Sequence, residues 1–170
     1  MKLPDLKSFK ENGEKTINFV KHKNDDIENA FVAQSILSQN CKRNEIFVLA
    51  RTNKQIEKLS LELNKLKIRY LKRTIEEKKT NLEPTQDEIT LSTIHAIKGL
   101  EASVVYFIGA GAKNHPCKAN EHPVLEAVKI NDTYDKYAEE LRLFYVAISR
   151  PQEKLIISYT GTLASYVKKE

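Results

Sequence analysis

The sequence predicts an α/β domain in three layers around a mostly parallel central sheet, and three observations carry that expectation. Short apolar runs of strand length alternate with longer segments whose apolar residues fall at helical spacing. One run, Ile46 to Ala50 (Ile-Phe-Val-Leu-Ala), is apolar throughout, as a strand covered on both faces must be. The 170 residues, 41% hydrophobic and 30% charged, suffice for one domain with a buried core and little more.

Taken in order, Thr16 to Val20 reads as a short strand. Asp25 to Ser38 sets Ile27, Ala30, Phe31, Ala33, Ile36 and Leu37 near helical spacing, with Asn24 or Asp25 as the N-cap. After the strand at Ile46 to Ala50, Thr52 or Asn53 caps a helix whose apolar face is Ile56, Leu59, Leu63 and Leu66. Ile68 to Leu71 reads as another short strand. Residues 71–88, with Lys72, Arg73, Glu76, Glu77, Lys78, Lys79 and Pro84, read as a surface connection. Strands return at Ile89 to Thr93 and Ser103 to Ile108. Ala110 to Asp132, with Gly111, Pro116 and Pro123, reads mostly as loop. Tyr137 to Ile148 carries Leu141, Phe144, Tyr145 and Ile148 on one helical face. Lys154 to Tyr159 is a last strand, and a short C-terminal helix is expected from Thr162 onward.

The net charge of +5 and pI of about 9.1 permit a phosphate-bearing partner without requiring one. Met1 to Lys10 lacks the apolar stretch of a secretory signal, and no apolar run approaches the ~18 residues of a membrane span. Cys41 and Cys117 give no disulfide framework, so a reducing cytoplasm is the expected setting, with no membrane partner.

Three segments carry candidate chemistry. In Glu45 to Asn53 an apolar strand delivers Arg51 and then a helix cap at the sheet edge where α/β proteins bind ligands; a surface arginine after a core strand is the plainer reading. Leu91 to Glu101 (Leu-Ser-Thr-Ile-His-Ala-Ile-Lys-Gly-Leu-Glu) crowds Thr93, His95, Lys98, Gly99 and Glu101 between two core strands. Such polar groups are costly there unless they meet a ligand or each other. In Glu139 to Arg150 an amphipathic helix ends at Ser149-Arg150, and Pro151 stops it. Arg150 is thus a guanidinium held at a helix terminus, a position the helix dipole favours in any case.

In order and residues, these segments resemble motifs IV, V and VI of the UvrD/Rep/PcrA group of superfamily 1 DNA helicases. Thr93 to Glu101 (Thr-x-His-x-x-Lys-Gly-Leu-Glu) and Tyr145 to Arg150 (Tyr-Val-Ala-x-Ser-Arg) carry most of the likeness. Asn12 to Ala33 is similar to the opening of the same domain, so the resemblance covers nearly all of residues 1–170. It implies the second RecA-like motor domain, a P-loop NTPase-like fold without its own P-loop. In such enzymes two motor domains hold ATP between them while single-stranded DNA crosses both. By the resemblance, Arg51 and Arg150 contact the γ-phosphate and act catalytically, and Gly99 and Glu101 approach the nucleotide. Thr93, His95 and Lys98 face the DNA. Arg142 and Tyr145 couple the nucleotide site to the domain interface. ATP with Mg²⁺ is the implied cofactor, and the partners are single-stranded DNA and an N-terminal motor domain. The implied polarity is 3′ to 5′.

No Gly-x-x-x-x-Gly-Lys-(Ser/Thr) string and no Walker B acidic pair occur, so the isolated chain is expected to be inactive. Residues 71–88 fall where relatives insert an accessory domain, which so short a linker cannot form. Ala102 stands where relatives carry an aromatic, and Pro151 where alanine is usual. The chain begins near where the second motor domain opens, as a fragment would. Three other readings compete. A stand-alone, non-catalytic nucleic-acid-binding or regulatory module fits the missing Walker A, but retention of Arg51 and Arg150 fits a motor better. His115, Cys117 and His122 have a metal-like spacing without a Cys-x-x-Cys pair, and adjacent prolines point to an ordinary loop, so no metal is expected. A nuclease lacks its carboxylate cluster.

Overall fold

The computed structural model describes residues 16–73, 83–97, 99–115 and 136–167. Its strands are β1 (Thr16–His22), β2 (Ile46–Ala50), β3 (Tyr70–Arg73), β4 (Ile89–Thr93), β5 (Ala102–Phe107) and β6 (Pro151–Thr160). Its helices are α1 (Asp25–Leu37), α2 (Asn53–Lys65) and α3 (Lys136–Ile148). All strand pairings run parallel, in the order β1-β6-β5-β2-β4-β3. The mostly parallel sheet expected from sequence is thus wholly parallel among the described strands.

Alternation along the strands builds two cores. Ile46, Val48 and Ala50 of β2 meet Val104 and Tyr106 of β5 on the face covered by α1 and α2, through Val32, Ala33, Ile36, Ile56, Leu59 and Leu63. Phe47 and Leu49 point the other way, with Val105, Phe107, Leu155 and Ile157, toward α3 and Ala147. This explains why β2 and β5 are apolar throughout: a central parallel strand has no solvent face. Local chemistry sets the helix starts. Asn24 Oδ1 accepts from Ile27 N at 2.9 Å, and Thr52 and Gln55 cap α2 reciprocally. Fully buried Tyr106 has its hydroxyl satisfied by Ser35 Oγ at 2.8 Å and Gln39 Nε2 at 2.7 Å, which ties α1 to β5.

Two expectations need correction. Leu71 to Arg73, assigned to the 71–88 connection, belong to β3, which pairs in register with β4 from Tyr70↔Ile89 to Arg73↔Ser92. The helix expected from Thr162 does not form among the described residues. Its backbone is taken up instead by the loop after β5: Ala112 N donates to Thr162 O at 2.7 Å and Ala164 N to Ala110 O at 3.0 Å. Gly111 and Leu163 form an antiparallel bridge there. A Cβ on Gly111 would lie 2.5 Å from the Thr160 carbonyl oxygen, so only glycine fits that approach.

Gly111→Ala is therefore expected to destabilise the fold by about 1–3 kcal/mol, read as a lower denaturation midpoint. An unchanged midpoint would mean that the two segments are free to separate. A second expectation concerns His22, buried at the end of β1 with its ring centroid 4.8 Å from that of Phe31. Burial holds its pKa below the ordinary 6.5, against a smaller opposing pull from Glu28. Well above that value the ring is neutral folded or unfolded. As pH falls through about 6.5, the unfolded chain binds a proton that the folded chain resists, so stability declines. The loss in Tm between about pH 7.5 and about pH 5.5 should be smaller for His22→Leu than for the parent chain. Equal losses would assign the effect to other groups.

Candidate functional site

A wholly parallel sheet has two unlike edges, and the structure sorts the candidate residues between them. At the edge formed by strand N-termini, the helix α3 ends and β6 begins. Arg150 donates from Nε to Val146 O at 3.0 Å, from Nη1 to Leu100 O at 3.2 Å, and from Nη2 to Ser149 Oγ at 3.1 Å. Three of the five guanidinium N–H groups are thus fixed within the chain. Ala102 N returns a bond to Arg150 O at 3.1 Å, so the start of β5 and the end of α3 are sewn together. Glu101 is exposed beside them and accepts from Gln152 Nε2 at 3.0 Å. Gly99 has φ +81 with no atom within 4 Å of a Cβ built on it, so its role is conformational.

The opposite edge holds Arg51, which follows β2. The register pairs Ala50 with Thr93, so Arg51 emerges beside the end of β4. Arg51 Nε donates to Glu140 Oε1 at 2.8 Å. Neither Nη nitrogen has a hydrogen-bond partner among the described residues, and neither is sealed from solvent. Glu140, in the first turns of α3, is 4% exposed. Its Oε2 accepts from His115 Nδ1 at 2.9 Å and from the Tyr166 hydroxyl at 3.4 Å. Because a carboxylate only accepts, His115 carries its proton on Nδ1. Its Nε2 is then buried without a partner. Burial first, then the neighbouring Glu140 charge, pushes the Tyr166 hydroxyl far above its ordinary pKa, so it remains a donor.

The segment between β4 and β5 joins the two edges. It leaves β4 at Thr93, makes a single 3-10 turn at Ile94–Ala96, and enters β5 at Ala102. Ile94 and Ile97 are buried on the α3 side of the sheet, so the segment crosses the face of β2 from one edge to the other. Thr93 is 5% exposed with Oγ1 unpartnered, His95 is half-buried in the turn, and Lys98 lies outside the described residues. Arg142 is exposed on α3 and Tyr145 half-buried.

One expectation changes. Arg51 and Arg150 are not brought to a single phosphate. Arg51 is pinned to Glu140 near the start of α3, and Arg150 lies past its end. Ten residues of helix at 1.5 Å each put them about 15 Å apart, on opposite edges. Glu140, His115 and Tyr166 were not singled out together, because they meet only through the fold. A buried Glu beside the chain's candidate arginine is legible in sequence only as an acidic residue on a helix. A cavity of about 270 Å³, lined by Asp25, Glu28, Thr52, Gln55, Gly109 and Lys113, was also missed. It lies where the connections after β2 and β5 leave in opposite directions, and Glu28 Oε1 there accepts from Gly109 N at 2.8 Å. Of the metal-spaced trio, His115 turns Nδ1 to Glu140, and Cys117 and His122 lie outside the described residues. No group of three or more potential metal-binding side chains forms among the described residues. No helix among the described residues is long and apolar enough to cross a membrane.

Comparison with known proteins agrees with this arrangement. A family model described as the UvrD-like helicase C-terminal domain matches residues 71–162. The chain is similar to the ATP-dependent DNA helicase PcrA of Staphylococcus epidermidis, 36% identical over 78 residues, covering 46% of this chain and 10% of that protein. It is also similar to PcrA of Staphylococcus aureus, 35% identical over 75 residues, covering 44% and 9%. A third relative is an ATP-dependent helicase/nuclease of Bacillus pumilus, 31% identical over 108 residues, covering 49% and 9%. The chain thus spans about a tenth of the length of these relatives. Its fold is shared with the C-terminal domain of a possible DNA helicase from Lactobacillus plantarum WCFS1, at a TM-score of 0.64 and 16% identity over 90% of this chain and 79% of that one. The likeness accords with the expected RecA-like layering. The matched residues hold β4, the crossover, β5, α3 and nearly all of β6, the elements that build both edges, and the chain belongs to the UvrD-like helicase C-terminal domain family.

Proposed function

We propose that this chain is the C-terminal motor half of an ATP-dependent DNA helicase or translocase, acting on single-stranded DNA with ATP held mainly by an N-terminal motor domain. The observation that carries the reading is the pinned arginine at the N-terminal edge. Arg150 is fixed by three internal hydrogen bonds, yet two of its five N–H groups remain for an outside acceptor.

ATP with its Mg²⁺ supplies the phosphoryl group and the negative charge that grows as it transfers. Arg150 meets that charge with a guanidinium whose ordering cost folding has already met, the arginine-finger arrangement. Glu101, exposed at the same edge, accepts from a ribose hydroxyl. Gly99 gives the backbone the positive φ needed to turn beside the nucleotide. No phosphate cradle is present in this chain, so ATP turnover requires the other half.

At the opposite edge, Arg51, Thr93 and His95, with Lys98 from the same crossover, face the DNA strand. There phosphate charge gives affinity without reading sequence. This division replaces the shared γ-phosphate expected for Arg51, because the two arginines occupy opposite edges. Arg142 and Tyr145, on the helix that spans both edges, contribute to the interface with the other motor domain. The 3′ to 5′ direction follows from the likeness to this helicase group.

Two ATPase measurements test the reading. The chain alone should not hydrolyse ATP, whereas the chain joined to a Walker A-bearing N-terminal half should do so in the presence of single-stranded DNA. Arg150→Ala should lower that turnover by about 10³-fold or more. Hydrolysis by the chain alone, or turnover indifferent to Arg150→Ala, would overturn the assignment.

A further inference from the structure

We propose that Glu140 is a positioning residue that aims the Arg51 guanidinium at a phosphate of the nucleic-acid strand, with His115 and Tyr166 holding Glu140 in turn. The proposal rests on the reading of Arg51 as a phosphate contact and goes beyond it by assigning how the contact is prepared.

The geometry is specific to this task. Glu140 accepts from Nε of Arg51 at 2.8 Å, not from either Nη nitrogen. A carboxylate at Nε fixes the plane of the guanidinium while leaving the Nη fork unspent, and that fork is the part that grips phosphate through two parallel bonds. Both Nη nitrogens lack partners among the described residues and remain open to solvent. A pair made only to neutralise two charges has no reason to favour the single Nε–H. The carboxylate itself is secured from two further directions. His115, with a side chain 1% exposed, donates to Oε2 at 2.9 Å, and Tyr166 donates to the same oxygen at 3.4 Å. The His115 ring is packed edge-on against Phe107 and Tyr166, with centroids 5.7 Å from each, so it cannot swing away without opening the core.

The arrangement also has a mechanical consequence. Glu140 lies near the start of α3, and Arg150 lies past its end. One rigid helix therefore carries the anchor of Arg51 at the DNA-facing edge and Arg150 at the nucleotide-facing edge. A shift of α3 when nucleotide is bound or released would move the Arg51 fork with it.

The test uses the 170-residue chain in two arms. In the first, the Arg51 side-chain Nε–H is observed by ¹H–¹⁵N NMR without any ligand. In the parent chain it should exchange slowly with water. In Glu140→Gln it should exchange as quickly as an exposed arginine, while the amide spectrum stays folded. Fast exchange in the parent would overturn the anchor. The second arm titrates a fluorescent single-stranded oligonucleotide at low salt into the parent, Arg51→Ala, Glu140→Gln and the double variant. Arg51→Ala should weaken binding about fivefold and reduce the salt slope by about one. Glu140→Gln should weaken it in the same sense, and the double variant should bind no worse than Arg51→Ala alone. Independent, additive losses would mean that Glu140 acts only through general stability and would overturn the positioning role. If Arg51→Ala leaves binding unchanged, the reading of Arg51 as a phosphate contact fails, and the first arm still decides whether Glu140 anchors it.

Discussion

Parallel pairing of all six strands is the constraint from which the rest of this structure follows. Each connection must return the chain from the top of the sheet to its bottom before the next strand can pair. The return paths cover both faces, which is why the central strands are apolar at every position and why two separate cores exist. The same requirement stretches the residues between β4 and β5 across the face of β2. The polar residues of one short sequence motif are thereby dealt out to opposite edges, Thr93 to one and Glu101 to the other. A domain that must face DNA and nucleotide at once gains from that geometry without needing separate elements for each.

Against this scaffold, the Arg51–Glu140–His115 cluster is energetically expensive. Bringing a carboxylate to 4% exposure costs several kcal/mol in lost hydration, and the attraction of one arginine offsets that only with good geometry and further hydrogen bonds. Glu140 has both, through His115 and Tyr166. An apolar residue at the same place would fill the volume at lower cost but would leave the guanidinium of Arg51 free to rotate. The ion pair therefore makes more sense as a device for holding a direction than as a source of stability. Arg150 is treated in the same way with carbonyl oxygens in place of a carboxylate, so both arginines are presented with their ordering cost already met by folding.

Several features could be seen in the chain before it folded. Asn24 and Thr52 act as helix caps because their short polar side chains reach the first free N–H groups, a wholly local effect. The positions of β2, β4 and β5 followed from apolar runs of strand length. Arg150 followed from a helix stopped by Pro151. Less was legible where distant segments compete for the same backbone. Residues after Thr162 have helical potential, yet their amides and carbonyls pair with Ala110 and Ala112, some fifty residues earlier in the chain. Likewise Leu71 to Arg73 look like a charged connection, and only pairing with β4 makes them a strand.

The sequence by itself determined the layering, the alternation of elements and the identity of the arginine-bearing motifs, because those depend on residues close together along the chain. Local periodicity decides which face of a helix or strand is apolar, and a motif keeps its spacing however the rest is arranged. The tertiary structure alone decided that Arg51 and Arg150 stand at opposite edges, and that Glu140, His115 and Tyr166 converge on one of them. Both outcomes depend on strand order and on the direction in which α3 crosses the sheet. Those are set by burial of the two faces taken together, and no window of sequence contains that sum.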